Sequence, residues 1–475
     1  MNQEFTDDLY AIIDDIEDTI NENIDGFPEV EVTYWANNCD KYDYDEVVDT
    51  YMRNGGSSGN PVKLSQEKDT KVKIPREAKH ENTISIIEES DQYQNVLDIL
   101  QREMSERNNN EATSQQIPSY SEERPESLLS KFVTVVVDEI IESESGEIGN
   151  KKRANLISSF NREIEKPLIS YNMDIFFYGI ACNFESTELE NGMNISQTSS
   201  SDLEYRTHLD RPMIMNLRLA PVKPPTLKLS YDIKSEDMNT VYKEIDIISA
   251  LLRLYSVSTA TVIGHDINAQ SPLRRGTQRW VDANRNYRFV STLEDGDQEH
   301  INNFMEVIER RFREEIMERP NQNHLTIAHD RYESALTGDS TESAIASTIM
   351  SLEALYLKEN EKGELSERLA QRTGMLLSCL DYQPMEVYSK IKKGYSVRSS
   401  YVHGTKTTDN FSDKLSIRTA SFARKSMIMF LQMKSEYEKE ELISKLDNAI
   451  MSPNARQQFE EDLDEICGYK PLKSH

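Results

Sequence analysis

Residues Asp339 to Gly404 read DSTESAIASTIMSLEALYLKENEKGELSERLAQRTGMLLSCLDYQPMEVYSKIKKGYSVRSSYVHG. Apolar residues recur every three or four positions over three segments, with short polar turns between them. Asp339 and Ser340 are cap residues for a helix over Ser343–Lys358, and two more helices follow over Glu364–Leu380 and Met385–Val402. Working outward, Ile301, Phe304, Met305, Ile308, Phe312 and Ile316 form another stripe, ended by Pro320. Leu325–Leu336 is a further helical segment, and Ser412–Ile450 is one more, broken near Glu438. Long amphipathic helices on short connections imply an antiparallel bundle.

The helix over Met385–Val402 runs into RSSYVHG, which sets Arg398 and His403 five positions apart. In an ideal helix such residues are rotated by about 140° and separated by about 7.5 Å along the axis. They share no face by spacing alone. A glycine just past the last turn ends a helix in the left-handed conformation, so Gly404 frees His403 to turn toward the Arg398 face. A second R-x4-H, Arg319 to His324, lies at a proline-broken helix end and has no comparable context.

The SLEALYLK core (Ser351–Lys358), the KGEL turn (Lys362–Leu365) and the terminal RSSYVHG together resemble the HEPN superfamily, and within it the ApeA-like branch of prokaryotic conflict and anti-phage systems. The resemblance covers the last third of the chain well and the middle third loosely. It leaves residues 1–120 uncovered. It implies a metal-independent endoribonuclease without cofactor, with Arg398 and His403 as catalytic residues in a homodimer that brings two motifs into one cleft. The implied products carry a 2′,3′-cyclic phosphate and a 5′-hydroxyl. The implied setting is antiviral defence, with a phage-derived or protein trigger.

The residue types suit that chemistry. Attack of a ribose 2′-OH on phosphorus needs a base, an acid and positive charge. Histidine serves as base or acid near neutral pH, and arginine grips phosphate oxygens bidentately. Glu353 either faces the bundle interior and orients Arg398 or is an exposed carboxylate. Ser399 and Ser400 can donate to phosphate, and Tyr401 is either a stacking surface or a core residue. HEPN nucleases often carry Asn, Asp or His directly after the arginine, where this chain has Ser399. Lys390, Lys392, Lys393, Lys406, Arg418, Arg424 and Lys425 make the surroundings basic, with Lys392, Lys393 and Lys406 the nearest candidates for RNA contact. The competing reading is structural: His403 caps its helix, Arg398 ties Glu353 or Glu367, and the chain is a non-catalytic module that binds a protein, nucleotide or RNA partner.

The net charge of −29 is concentrated early. Residues 1–150 hold 35 acidic and 12 basic residues, a balance of −23, which leaves −6 for the rest. An acidic head repels nucleic acid, whereas a near-neutral body can carry a basic patch. Phe5, Leu9, Ile12, Ile13, Ile16, Ile20 and Ile24 mark an amphipathic helix capped by Thr6. It either docks on its own protein or serves a partner, for instance by shielding an RNA site. EVEVTYWA (Glu29–Ala36) alternates as a strand, GGSSGN (Gly55–Asn60) is a linker, Asp91 to about Arg107 is a polar helix, and Asn108–Glu126 reads as linker.

LLSKFVTVVVDEII, from Leu128, is a buried helix or strand. MDIFFYGIACNF, MIMNLRLA and TLKLSYDI are strand-like, and a helix runs from about Asn239 to Tyr255. Trp280, Arg285, Tyr287 and Arg288 either clamp a nucleotide or pack a strand edge. The expected organisation is α+β and multidomain. Residues 1–120 form an acidic head, 121–295 a mixed α/β regulatory or sensory domain, 296–455 the HEPN-like bundle and 456–475 a tail. No run of 18 apolar residues suggests a membrane span, the acidic start is unlike a secretory signal, and four scattered cysteines suit a reducing cytoplasm rather than a zinc site.

Overall fold

The computed structural model describes residues 3–21, 30–37, 65–72, 77–111, 125–143, 147–164, 169–199, 226–235, 238–271, 273–274, 276–280, 289–318, 321–338, 340–404 and 413–471. Helix α1 (Gln3–Asn21) begins a turn earlier than the Thr6 cap suggested and buries Phe5, Leu9, Ile12, Ile13, Ile16 and Ile20. These side chains share one apolar core with α2 (Glu77–Glu88), α3 (Asp91–Glu111), α4 (Pro125–Glu142) and α5 (Asn150–Ile164). The apolar face of α1 is therefore covered by its own chain. The Leu128 segment is helical. Leu129, Phe132, Val133, Val136, Val137 and Ile140 form one stripe, at helical spacing. This core continues past residue 120 to Ile164 and takes in Leu273, beyond the strand Thr261–Ala269 of the sheet region.

Two strands, β1 (Val30–Asn37) and β2 (Ser65–Val72), pair antiparallel in a sheet of their own. The GGSSGN stretch and residues 112–124 lie outside the described residues.

The middle region is an antiparallel six-stranded sheet backed by a helix. Its strands are β3 (Ile169–Tyr178), β5 (Ser186–Glu188), β6 (Asn194–Ser196), β7 (Leu227–Ser235), β8 (Thr261–Ala269) and β9 (Thr277–Trp280), in the order β5-β6-β7-β3-β8-β9. Strand β4 (Ile180–Cys182) pairs separately with β10 (Ser291–Leu293), in parallel. Alternation along β3 sends Tyr171, Met173, Ile175 and Phe177 inward and leaves Asn172 exposed. Helix α6 (Met238–Tyr255) buries Val241, Ile245, Ile248, Leu252 and Tyr255 in the same core. MIMNLRLA and the segment carrying Arg285, Tyr287 and Arg288 lie outside the described residues, and of Trp280 only the backbone is described.

The C-terminal part is all-helical. It comprises α7 (Gln298–Phe312, extended by a π-turn over Arg313–Met317), α8 (His324–Leu336), α9 (Thr341–Tyr356), α10 (Leu365–Ser378), α11 (Pro384–Val402), α12 (Asp413–Met433), α13 (Lys439–Met451) and α14 (Pro453–Ile466). Caps set the starts: Asn323 and Thr326 form a reciprocal capping box at α8, and Ser340 accepts from the Ser343 N–H at α9. Helix α12 is the central post, with every residue from Thr419 to Met433 buried. One core joins this bundle to the sheet.

The described part of the expected tail, residues 456–471, packs on the bundle. Helix α14 buries Phe459 and Leu463, and beyond it Cys467 and Tyr469 are buried too. The Gln432 amide grips the Tyr469 backbone from both sides, donating to its carbonyl at 2.8 Å and accepting from its N–H at 3.0 Å. Among the described residues no helix is long and apolar enough to cross a membrane.

Candidate functional site

Helix α11 carries most of the candidate residues. Pro384 opens it, and it ends at His403, with Gly404 in the left-handed region at φ +65°. It runs antiparallel to α9: Tyr401 Oη donates to Ser343 Oγ at 3.4 Å near the start of α9, and Gly394 lies against Ile349 further along. A Cβ on Gly394 would stand 2.8 Å from Ile349 Cδ1, so the two helices meet because this position has no side chain.

Arg398 is about a quarter exposed, and its Nη2 donates to Glu353 Oε2 at 3.2 Å. The Glu353 reading that placed this carboxylate inside the bundle, against Arg398, matches the geometry. The guanidinium carbon sits 5.8 Å from the centre of the Tyr395 ring. Arg398 Nε is buried and has no hydrogen-bond partner among the described residues. Burial pushes the Glu353 carboxyl above its usual range, and the charge and hydrogen bond of Arg398 pull against that.

His403 is exposed, and its N–H closes the helix on the Ser399 carbonyl at 3.1 Å. Among the described residues no hydrogen bond, ion pair or ring contact joins His403 to Arg398. Helical side chains lean toward the helix N-terminus. Arg398 thus reaches back over Tyr395, while His403 stands at the opposite, C-terminal end. Ser399 and Ser400 are half-buried. Tyr401 is half exposed rather than a core residue, and Val402 and Ile417 are exposed beside it in sequence or at the start of α12.

The basic surroundings are only partly as expected. Arg424 and Lys425 are fully buried and cannot steer RNA. Arg424 Nη1 donates to the carbonyls of Leu254 and Tyr255 at the end of α6, and Lys425 Nζ donates to Tyr382 Oη at 2.7 Å. Lys392 is committed to Glu367 at 3.0 Å and Ser366 at 3.1 Å. Its charge, after the Tyr388 hydroxyl, holds Glu367 below the usual carboxylate range. Glu367 is thus the partner of Lys392, not of Arg398. Lys393 and Arg418 are exposed, Lys390 is half-buried, and Lys406 lies outside the described residues.

Sequence reading missed three contributors. Gly394 and Tyr395 shape the Arg398 seat, signalled only by a mid-helix glycine and a tyrosine one turn before the arginine. Arg372 on α10 is the third. It is 1% exposed and gives all five of its N–H groups to Asp447, Glu361 and the Tyr356 carbonyl, at 2.6–2.9 Å. Among the described residues no three His, Cys, Asp or Glu side chains form a metal-binding group. No protein-family model, curated protein or solved structure matches the chain.

Proposed function

We propose that the chain is a HEPN-type, metal-independent endoribonuclease of the ApeA-like kind, acting as a homodimer in a prokaryotic defence or toxin-like setting. The observation that carries this reading is the end of α11. An exposed imidazole and a partly exposed arginine side chain whose buried Nε–H has no partner among the described residues lie within one helical turn and a half, on a helix closed by a left-handed glycine. Arg398 neutralises the phosphate, and His403 moves the proton at the 2′-oxygen or at the leaving 5′-oxygen. One chain supplies a single such histidine. A second copy docking on the exposed Tyr401, Val402 and Ile417 supplies the other. Activation is by a phage-derived or protein trigger.

The test is cleavage of end-labelled RNA in EDTA by the full-length protein, with Arg398→Ala and His403→Ala alongside. Metal-independent cutting that both substitutions abolish, with 2′,3′-cyclic phosphate ends, is the expected result. The second reading is a non-catalytic module that binds a protein, nucleotide or RNA partner. It is favoured by the engagement of Arg398 with Glu353 rather than with His403. Under it, His403→Ala alters binding and no RNA is cut.

A further inference from the structure

Arg398 and His403 do not face one another, and Glu353 is the reason on the arginine's side. Both Arg398 and Glu353 lean toward the starts of their own helices. Because α9 and α11 are antiparallel, the two side chains converge, and they meet beside Tyr395. The guanidinium is drawn away from the end of α11 that bears His403. A phosphodiester addressed by both residues requires the guanidinium to leave that seat.

The seat is a weak one. A well-made arginine–carboxylate pair is bidentate and closes to about 2.7–2.9 Å, whereas this one is a single bond at 3.2 Å. Arg398 Nε is buried without an acceptor among the described residues, which costs free energy that a phosphate oxygen can return. The Tyr395 ring lies near the outer limit of a useful cation–π contact of about 6 Å, at 5.8 Å. We propose that Glu353 competes with RNA phosphate for Arg398, so that substrate binding opens the Glu353–Arg398 pair and turns the guanidinium toward His403. This rests on the RNA-cleaving reading above. It makes Glu353 a restraint on affinity rather than a support for it.

The test uses the full-length chain and a fluorescein-labelled, fully 2′-O-methylated RNA, which lacks the 2′-hydroxyl nucleophile and reports binding alone. Glu353→Gln keeps the shape and removes the charge, and Glu353→Ala serves as the second variant. Each is expected to bind about five- to tenfold tighter than the wild type. Arg398→Ala is expected to bind several-fold weaker, and the double variant E353Q/R398A to match R398A. If neither position-353 variant gains affinity while R398A still loses it, the restraint is overturned and the RNA reading stands. A gain that survives in the double variant does not pass through Arg398 and also overturns it. An R398A protein with wild-type affinity overturns both.

Discussion

Two arginines in one helical bundle face glutamates and behave as opposites. Arg372 is sealed, and each of its five N–H groups has an acceptor at 2.6–2.9 Å. Arg398 is partly open, holds one carboxylate at 3.2 Å and leaves a buried Nε without a partner among the described residues. The glutamates register the difference. The hydrogen bonds of Arg372 pull Glu361 down to about 2, while at Glu353 burial outweighs Arg398 and pushes the carboxyl up. A saturated guanidinium is a staple: it ties the end of α9 and Glu361, just before the KGEL turn, to α10 and α13. An under-saturated one retains capacity for another anion. The contrast separates a structural arginine from a candidate functional one without reference to any relative.

The largest expected effect is on stability. Arg372→Ala removes a buried guanidinium and its five hydrogen bonds to Glu361, Asp447 and the Tyr356 carbonyl, leaving Glu361 only Arg368 and the Lys358 N–H, and is expected to cost about 3–5 kcal/mol in urea denaturation. Arg398→Ala is expected to cost less than about 1 kcal/mol. Equal losses would erase the distinction between the two sites.

Gly394→Ala comes next. Its methyl meets the buried Ile349, and the strain is expected to cost about 1–3 kcal/mol in the same measurement. It also pries α11 from α9 and so loosens the Glu353–Arg398 pair. A variant as stable as the wild type would mean the helices part easily.

The smallest effect concerns pH, where the two glutamates should carry opposite signs. The Glu361 carboxyl is depressed from its ordinary 4.5, so its contribution is present above that value and lost as pH falls toward about 2. The Glu353 carboxyl is raised, so its contribution is present below 4.5 and lost as pH rises through the raised value. In denaturation followed across pH, Glu361→Gln is expected to flatten the acid-side loss and Glu353→Gln the loss on rising pH. The same sign for both would contradict the assignment.

Where three-to-four spacing and a recognisable cap coincided, the sequence was legible. Ser340 opened α9 and Gly404 closed α11 as residue type suggested, and the stripe from Ile301 to Ile316 is buried as read. Legibility failed where the signal is thin or depends on distant packing. SQEKDTKV offers no apolar alternation, so β2 is recognisable only by its pairing with β1. Helix α14 fully buries just Phe459 and Leu463, with Ile466 packed beside them, among many charges. Arg424 and Lys425 look solvated by residue type, yet they lie on the Thr419–Met433 stretch of α12, where every residue is buried. The Glu353–Arg398 pair was legible as one of two alternatives. Its seat on Tyr395 and Gly394 was not, because it depends on the register between α9 and α11.

The most direct measurement is RNA cleavage in EDTA by wild type and His403→Ala, with RNA affinity followed in parallel. The expected result is a loss of at least about 100-fold in cutting, the scale of a general acid or base, with affinity within a few-fold of wild type. Undiminished cutting by His403→Ala would contradict the assignment of the site, and no cutting by the wild type under any trigger would contradict the nuclease itself.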